Sequence, residues 1–240
     1  MPDLIAPGTV ERVDWPTFVE SRLVWLQGEH VTMIGPTGSG KTTLTNALLP
    51  LRSFVMFFGT KPSGRDDTAM ALVRRGGYKL VRDVDRLPDV VTRRNGRIVF
   101  WPKFTTPDDV PMQAWQIGQA MRRAFVEGGW TLVVDEMWYA DNVLHLGKML
   151  EQLWSQGRSL GISLVAGTQR PAKVPLMAYD QATHVFFWRD NDESNLKRIS
   201  GMNGLNARLI RETVSTLPLH HVLYVNTRTG YMAVTLAPRK

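Results

Sequence analysis

Gly35-Pro36-Thr37-Gly38-Ser39-Gly40-Lys41-Thr42 matches G-x-x-x-x-G-K-[ST] at every position. Glycines in such a stretch let the backbone aim its N–H groups at phosphate oxygens, and the N-terminus of a following helix adds positive potential. Lys41 is then the group that reaches the β- and γ-phosphates, and the Thr42 hydroxyl is suited to a Mg²⁺ shell. With Thr43 the phosphate-binding run is 35–43. Further on, Thr131-Leu132-Val133-Val134 leads into Asp135-Glu136. A carboxylate at the end of an apolar strand can hold Mg²⁺, and the one beside it can take a proton from an attacking water. Asp135 is the metal candidate and Glu136 the general base. The alternative is a helix N-terminus whose acidic residues answer the macrodipole. A third cluster, Thr168-Gln169, follows the apolar run 161–166. An amide there can sense the γ-phosphate or orient the water, unless it is simply a hydrogen-bonded residue at a strand end.

These groups meet only if strands and helices carry them to a common edge. Apolar runs at 29–34, 53–58, 97–101, 130–134, 161–166 and 184–188 read as strands buried on both faces. Helix-length segments at 66–76, 110–127, 142–159 and 192–201 separate them, and a helix over 42–49 follows the phosphate loop and ends at Pro50. Residues 15–26 read as a lead-in helix or strand, with Pro16 suited to a first helical turn. Residues 221–226 and 231–236 flank Thr227–Gly230, a hairpin signal. The expected fold is α/β: a three-layer P-loop NTPase of the RecA, additional-strand-glutamate type, with a mainly parallel central sheet and a C-terminal β-hairpin. A single ATPase domain over 1–240 is expected, with a lead-in over 1–28, a motor core over 29–200 and a C-terminal segment over 201–240.

Several classes fall away. A GTPase needs a D-x-x-G turn and an N/T-K-x-D base reader; Asp135 is followed by Glu136-Met137-Trp138, and Thr60-Lys61-Pro62-Ser63 lacks the final Asp. No L-S-G-G-Q segment of a transporter ATPase is present. ATP with Mg²⁺, attacked by water, is what remains. With no cysteine, disulfides, zinc knuckles and thiol nucleophiles are excluded. The N-terminus lacks the pattern of a signal peptide and no window is apolar enough to span a membrane, so the chain is read as cytoplasmic, with peripheral docking or virion association open. The net charge of +7 permits contact with a polyanion. It is spread evenly along the chain, so it does not mark a binding face.

Three stretches together resemble the FtsK/HerA superfamily of ATP-driven DNA pumps: GPTGSGKT at 35–42, LVVDE at 132–136 and GRSLGISLVAGTQRP at 157–171. The third discriminates, because the first two recur across P-loop proteins. The resemblance covers most of 28–200 and implies a ring of identical subunits, usually a hexamer, with ATP between neighbours. It makes Gln169 the γ-phosphate sensor and Arg158 the arginine that completes a neighbour's site, with Arg170 as an alternative. Arg158 could instead end a helix and favour its dipole. The implied partner is double-stranded DNA held without base readout, with Arg74, Arg75, Arg93, Arg94 and Arg97 as channel candidates. A portal or membrane protein would dock the motor. The membrane helices, winged-helix domain and N-terminal barrel of larger members have no counterpart in this sequence, which is similar in size to the genome-packaging ATPases of some membrane-containing viruses. Two rival readings are a virion assembly or secretion ATPase of the zonula-occludens-toxin-like type and a nucleotide-dependent switch with little turnover.

Overall fold

The computed structural model describes residues 9–88, 96–169, 177–200 and 206–236. Its elements run β1 (Glu11–Arg12), α1 (Trp15–Thr17), β2 (His30–Ile34), α2 (Lys41–Leu48), β3 (Phe54–Phe58), α3 (Asp67–Arg74), β4 (Lys79–Val81) and β5 (Gly96–Phe100). They continue with α4 (Val110–Glu127), β6 (Thr131–Val134), α5 (Met137–Asn142), α6 (Gly147–Gln156), β7 (Ser163–Thr168) and α7 (Met177–Asp180). The last are β8 (Ala182–Trp188), α8 (Glu193–Ser200), α9 (Ala207–Thr216), β9 (Val222–Asn226) and β10 (Met232–Thr235). The result is the mixed α/β, mainly parallel fold that the sequence predicts. The chain divides into two compact units. One takes 9–26, 30–47, 167–169, 177–200 and 206–236 of the described residues; the other takes 27–29, 48–88 and 96–166.

In the first unit the strand order is β1-β10-β9-β8-β2. β2 and β8 run parallel, with Thr32 opposite Val185 and Ile34 opposite Phe187, while β9 is antiparallel to both β8 and β10. Every residue of β2 and of β8 is buried, which explains their uninterrupted apolar character. The expected hairpin forms because Asn226 Oδ1 accepts from the backbone N–H groups of Arg228 and Thr229, and Gly230 takes a left-handed φ of 73°. The lead-in docks through Phe18, whose ring meets Tyr224 edge-on at 4.9 Å. Tyr224 in turn bonds His184 Nδ1 through its hydroxyl at 2.8 Å. Truncating such a fully buried ring costs about 3–5 kcal/mol.

The second unit is wholly parallel in the order β7-β6-β3-β5-β4, β7 entering it through Ser163–Ala166. Registers place Phe58 opposite both Val134 and Phe100, so β3, β5 and β6 end at one level, with Ala166 of β7 opposite Val134. α4 covers its expected span; Asp109 accepts from Thr105 N and Thr106 N at its start, and Gly128 closes it at φ 68°.

Three expectations needed adjustment. The single helix over 142–159 is α5, a loop, α6 and a 3-10 turn over Gly157–Leu160. His145 takes φ 54°, and a Cβ on Gly147 would lie 2.2 Å from Asp141 Oδ1, so the chain turns there. β7 runs two residues later than expected because Gly161, at φ 65°, caps that 3-10 turn. β1, β4, α7 and α9 were not expected at all.

Candidate functional site

The candidate residues are distributed over both units. In the first, β2 feeds the phosphate loop and α2 begins at Lys41. Gly38 and Gly40 adopt φ of 76° and 120°, conformations that L side chains rarely take, and it is these turns that let a loop wrap inward. Gly35 is needed for a different reason: a Cβ would come within 2.8 Å of both Trp188 Cβ and Ser39 Oγ. The same indole lies 3.2 Å from the position of a Cβ on Gly40. Trp188, at the end of β8 and buried, is therefore the wedge against which the loop folds.

Lys41 is buried, and its Nζ donates to the carbonyls of Gly35 at 2.5 Å and Pro36 at 2.9 Å. The ammonium is thus held over the loop's own concavity. Thr42 stands in the first turn of α2 and is exposed, as its proposed metal role needs, and Thr43 is half-buried behind it. Ser39 Oγ is buried with no hydrogen-bond partner among the described residues, an orphaned donor inside the loop.

Gln169 joins this loop. Gly35 N donates to Thr168 O at 3.2 Å, and the Thr37 hydroxyl donates to Gln169 Oε1 at 2.6 Å. The amide oxygen is engaged, which leaves the NH₂ donors of Gln169 for an anionic oxygen. A residue that sequence reasoning missed completes the surround. His220, in the turn before β9 at φ 63°, brings Nδ1 to 3.3 Å from Ser39 O. A carbonyl only accepts, so Nδ1 carries the proton in this pair. Neither His220 nor Trp188 stands in any local motif; each is found only through contacts made across the fold.

In the second unit Asp135 and Glu136 follow β6 and are half-buried. Glu136 is the residue before α5, yet its side chain makes no capping bond to that helix. The pair thus stands at a helix N-terminus, where the macrodipole favours acidic residues, without a side-chain capping bond. Lys61 Nζ lies 3.9 Å from Asp135 Oδ2, an ion pair the motif does not contain. Arg158 lies in the 3-10 turn after α6; its side chain is exposed and has no hydrogen-bond or ion-pair partner among the described residues. Its backbone is fixed by close packing: a Cβ on Gly28, at φ 87°, would touch Arg158 O at 2.8 Å. Arg74 and Arg75 are exposed. Arg97 instead donates to the carbonyls of Pro50 and Arg52 at 3.3 and 3.2 Å, a structural duty. Arg93, Arg94 and Arg170 lie outside the described residues. Among those described, no helix is long and apolar enough to cross a membrane.

A P-loop NTPase fold is what this combination of sheet, loop and strand-end acids defines. No protein-family model matches the chain, and no curated protein matches it significantly. Solved structures do resemble it. The DNA-packaging ATPase B204 of Sulfolobus turreted icosahedral virus is 19% identical, with a TM-score of 0.63 over 90% of this chain and 100% of that one. B204 of Sulfolobus turreted icosahedral virus 2, in complex with AMPPCP, is 18% identical with a TM-score of 0.62, covering 87% and 97%. VirB4 of Thermoanaerobacter pseudethanolicus is 11% identical with a TM-score of 0.59, covering 88% and 89%. At such identities the likeness is one of fold, that of a P-loop NTPase.

Proposed function

We propose that the chain is an ATP-hydrolysing motor that moves double-stranded DNA, acting as a ring of identical subunits in genome packaging or the transfer of a mobile element. The observation that carries the nucleotide part is the loop itself. Left-handed Gly38 and Gly40 turn its backbone inward, the Lys41 ammonium lies over it, and Gln169 is bonded to Thr37. In this reading Lys41 moves from its carbonyls to the β- and γ-phosphates, a charge-assisted exchange of partners. The free NH₂ of Gln169 reports the γ-phosphate. Glu136 takes the proton of the attacking water, and Arg158 stabilises phosphoryl charge in a neighbour's site.

Magnesium suits the donors available. Thr42 offers a hydroxyl and Asp135 a carboxylate, both hard oxygen ligands, and Asp135 already attracts a cation in Lys61. When bound, the ion would neutralise charge on the transferring phosphoryl group.

The DNA part is supported by the fold likeness to B204, described as a DNA-packaging ATPase, and by the net charge of +7. Contacts to phosphates without base readout would make binding fall steeply with salt. The test is ATP hydrolysis at low salt with and without long duplex DNA, with Glu136→Gln as the blank. Several-fold stimulation by DNA, absent in the variant, supports the motor. Turnover indifferent to DNA leaves an ATPase whose work is virion assembly or secretion, and no turnover leaves a switch.

A further inference from the structure

Thr60-Lys61-Pro62-Ser63 opens like a guanine-reading signature but lacks its aspartate, so sequence reasoning left it without a task. In the second unit it stands at the acid pair. Phe58 and Val134 are opposite one another, and therefore Gly59–Lys61 and Asp135-Glu136 leave the sheet at the same edge. Lys61 Nζ is 3.9 Å from Asp135 Oδ2, the lysine side chain being 51% exposed and the aspartate 15%.

The backbone under Lys61 is held by buried donors. Gln113 Nε2 donates to Thr60 O at 3.2 Å, and Trp101 Nε1 donates to Lys61 O at 2.9 Å. The fully buried Gln113 also accepts from Tyr139 Oη at 3.2 Å, three residues past Glu136. Gly59 leaves no freedom either, because a Cβ there would lie 2.5 Å from the Trp101 ring. A lysine that only solvates a surface needs no such support. Here an indole, an amide and a phenol fix one short segment relative to the residues that follow β6, and the segment ends in a cation at Asp135.

We propose that Lys61 is a positioning residue that guards the metal carboxylate. Its ammonium partly neutralises Asp135 and lowers the affinity of the acid pair for a free divalent cation, so the metal is taken up with its nucleotide. The inference rests on the reading of Asp135 as the metal carboxylate. A positive charge 3.9 Å from the carboxylate repels a divalent cation twice as strongly as a monovalent one. The pair is also easily opened. Lysine carries a compact charge on a flexible stem and makes no bidentate clasp, so the half-exposed side chain can swing aside when the metal enters.

The test uses the full chain and Mn²⁺ alone, followed through the electron paramagnetic resonance signal of the free ion at low salt. Lys61→Met should bind Mn²⁺ about 3–10-fold more tightly than wild type, a gap that narrows as salt screens the charge. Lys61→Arg should stay near wild type. In an Asp135→Asn background the Lys61→Met change should have no further effect, which isolates the pair. Circular dichroism checks that each variant is folded. Equal Mn²⁺ affinity for Lys61→Met and wild type, or tightening that persists without Asp135, overturns the proposal. Wild-type ATP hydrolysis is read in parallel. Turnover with unchanged Mn²⁺ affinity in Lys61→Met refutes the guard alone, whereas a wild type that does not hydrolyse ATP together with a Lys61→Met variant that takes up no Mn²⁺ refutes both readings.

Discussion

The phosphate loop and the acid pair are held in place by different means. In the first unit the loop is shaped by backbone: two left-handed glycines, a third with no room for a side chain beside Trp188, and carbonyls that receive Lys41. In the second unit the segments at the ends of β3 and β6 are shaped by side chains: Gln113 and Trp101 bond the first, Tyr139 bonds Gln113, and Lys61 pairs with Asp135. A backbone cradle must be spelled contiguously, because each residue supplies its own dihedral angles. A side-chain scaffold can be drawn from anywhere in the chain. The first therefore leaves a motif, and the second leaves almost none.

The comparison can be broken at several points. The largest effect is expected at Lys41. Lys41→Ala removes the charge-assisted donor and should weaken ADP binding about 10–100-fold in a fluorescence titration. Unchanged affinity would mean that the cradle works without its cation. Next come the two crowded glycines. Gly35→Ala and Gly59→Ala each press a methyl into an indole, and urea unfolding should show losses of about 1–3 kcal/mol. If the units unfold separately, Gly35→Ala should move the transition that reports Trp188 and Gly59→Ala the one that reports Trp101. Gln113→Leu leaves Thr60 O and Tyr139 Oη without their partner and should cost about 1–3 kcal/mol on the same measure. A neutral result would show that the side-chain scaffold is dispensable.

Two smaller effects sharpen the first unit. His220→Ala frees the Ser39 carbonyl and should weaken ADP binding about two- to five-fold, the scale of one neutral hydrogen bond. Equal affinity would remove His220 from the site. Glu11 tests the lead-in. Hydrogen bonds from Arg22 and Tyr231 hold its carboxyl below the ordinary 4.5. A depressed folded value contributes stability that is present above pH about 4.5 and lost as pH falls through the folded value. Glu11→Gln should thus flatten the acid limb of a melting-temperature profile and leave its neutral region nearly parallel to wild type. An unaltered acid limb would contradict this.

How far the sequence could be read follows the same division. Gly35–Thr42 was legible because its chemistry is contiguous, and Asp135-Glu136 because an apolar strand ends there. Gln169 was legible through the resemblance at 157–171, and its bond to Thr37 spans 132 positions. Trp188 and His220 gave no signal, since the histidine meets Ser39 from 181 positions away. Lys61 carries no sequence signal for this place, because its meaning depends on the register of β3 against β6. The strands buried on both faces were plain. α9 was missed although Ala207, Ile210 and Val214 stand at helical spacing, and the break before Gly147 turns on the left-handed His145, which no periodicity records.

The central claim is that loop and acid pair hydrolyse a nucleotide, and steady-state phosphate release from ATP and Mg²⁺ tests it most directly. Wild type should turn over, and Glu136→Gln should lose about 10²–10⁴-fold in rate while still binding nucleotide. Equal rates for the two proteins, or no release by wild type at saturating ATP and Mg²⁺, would contradict the account.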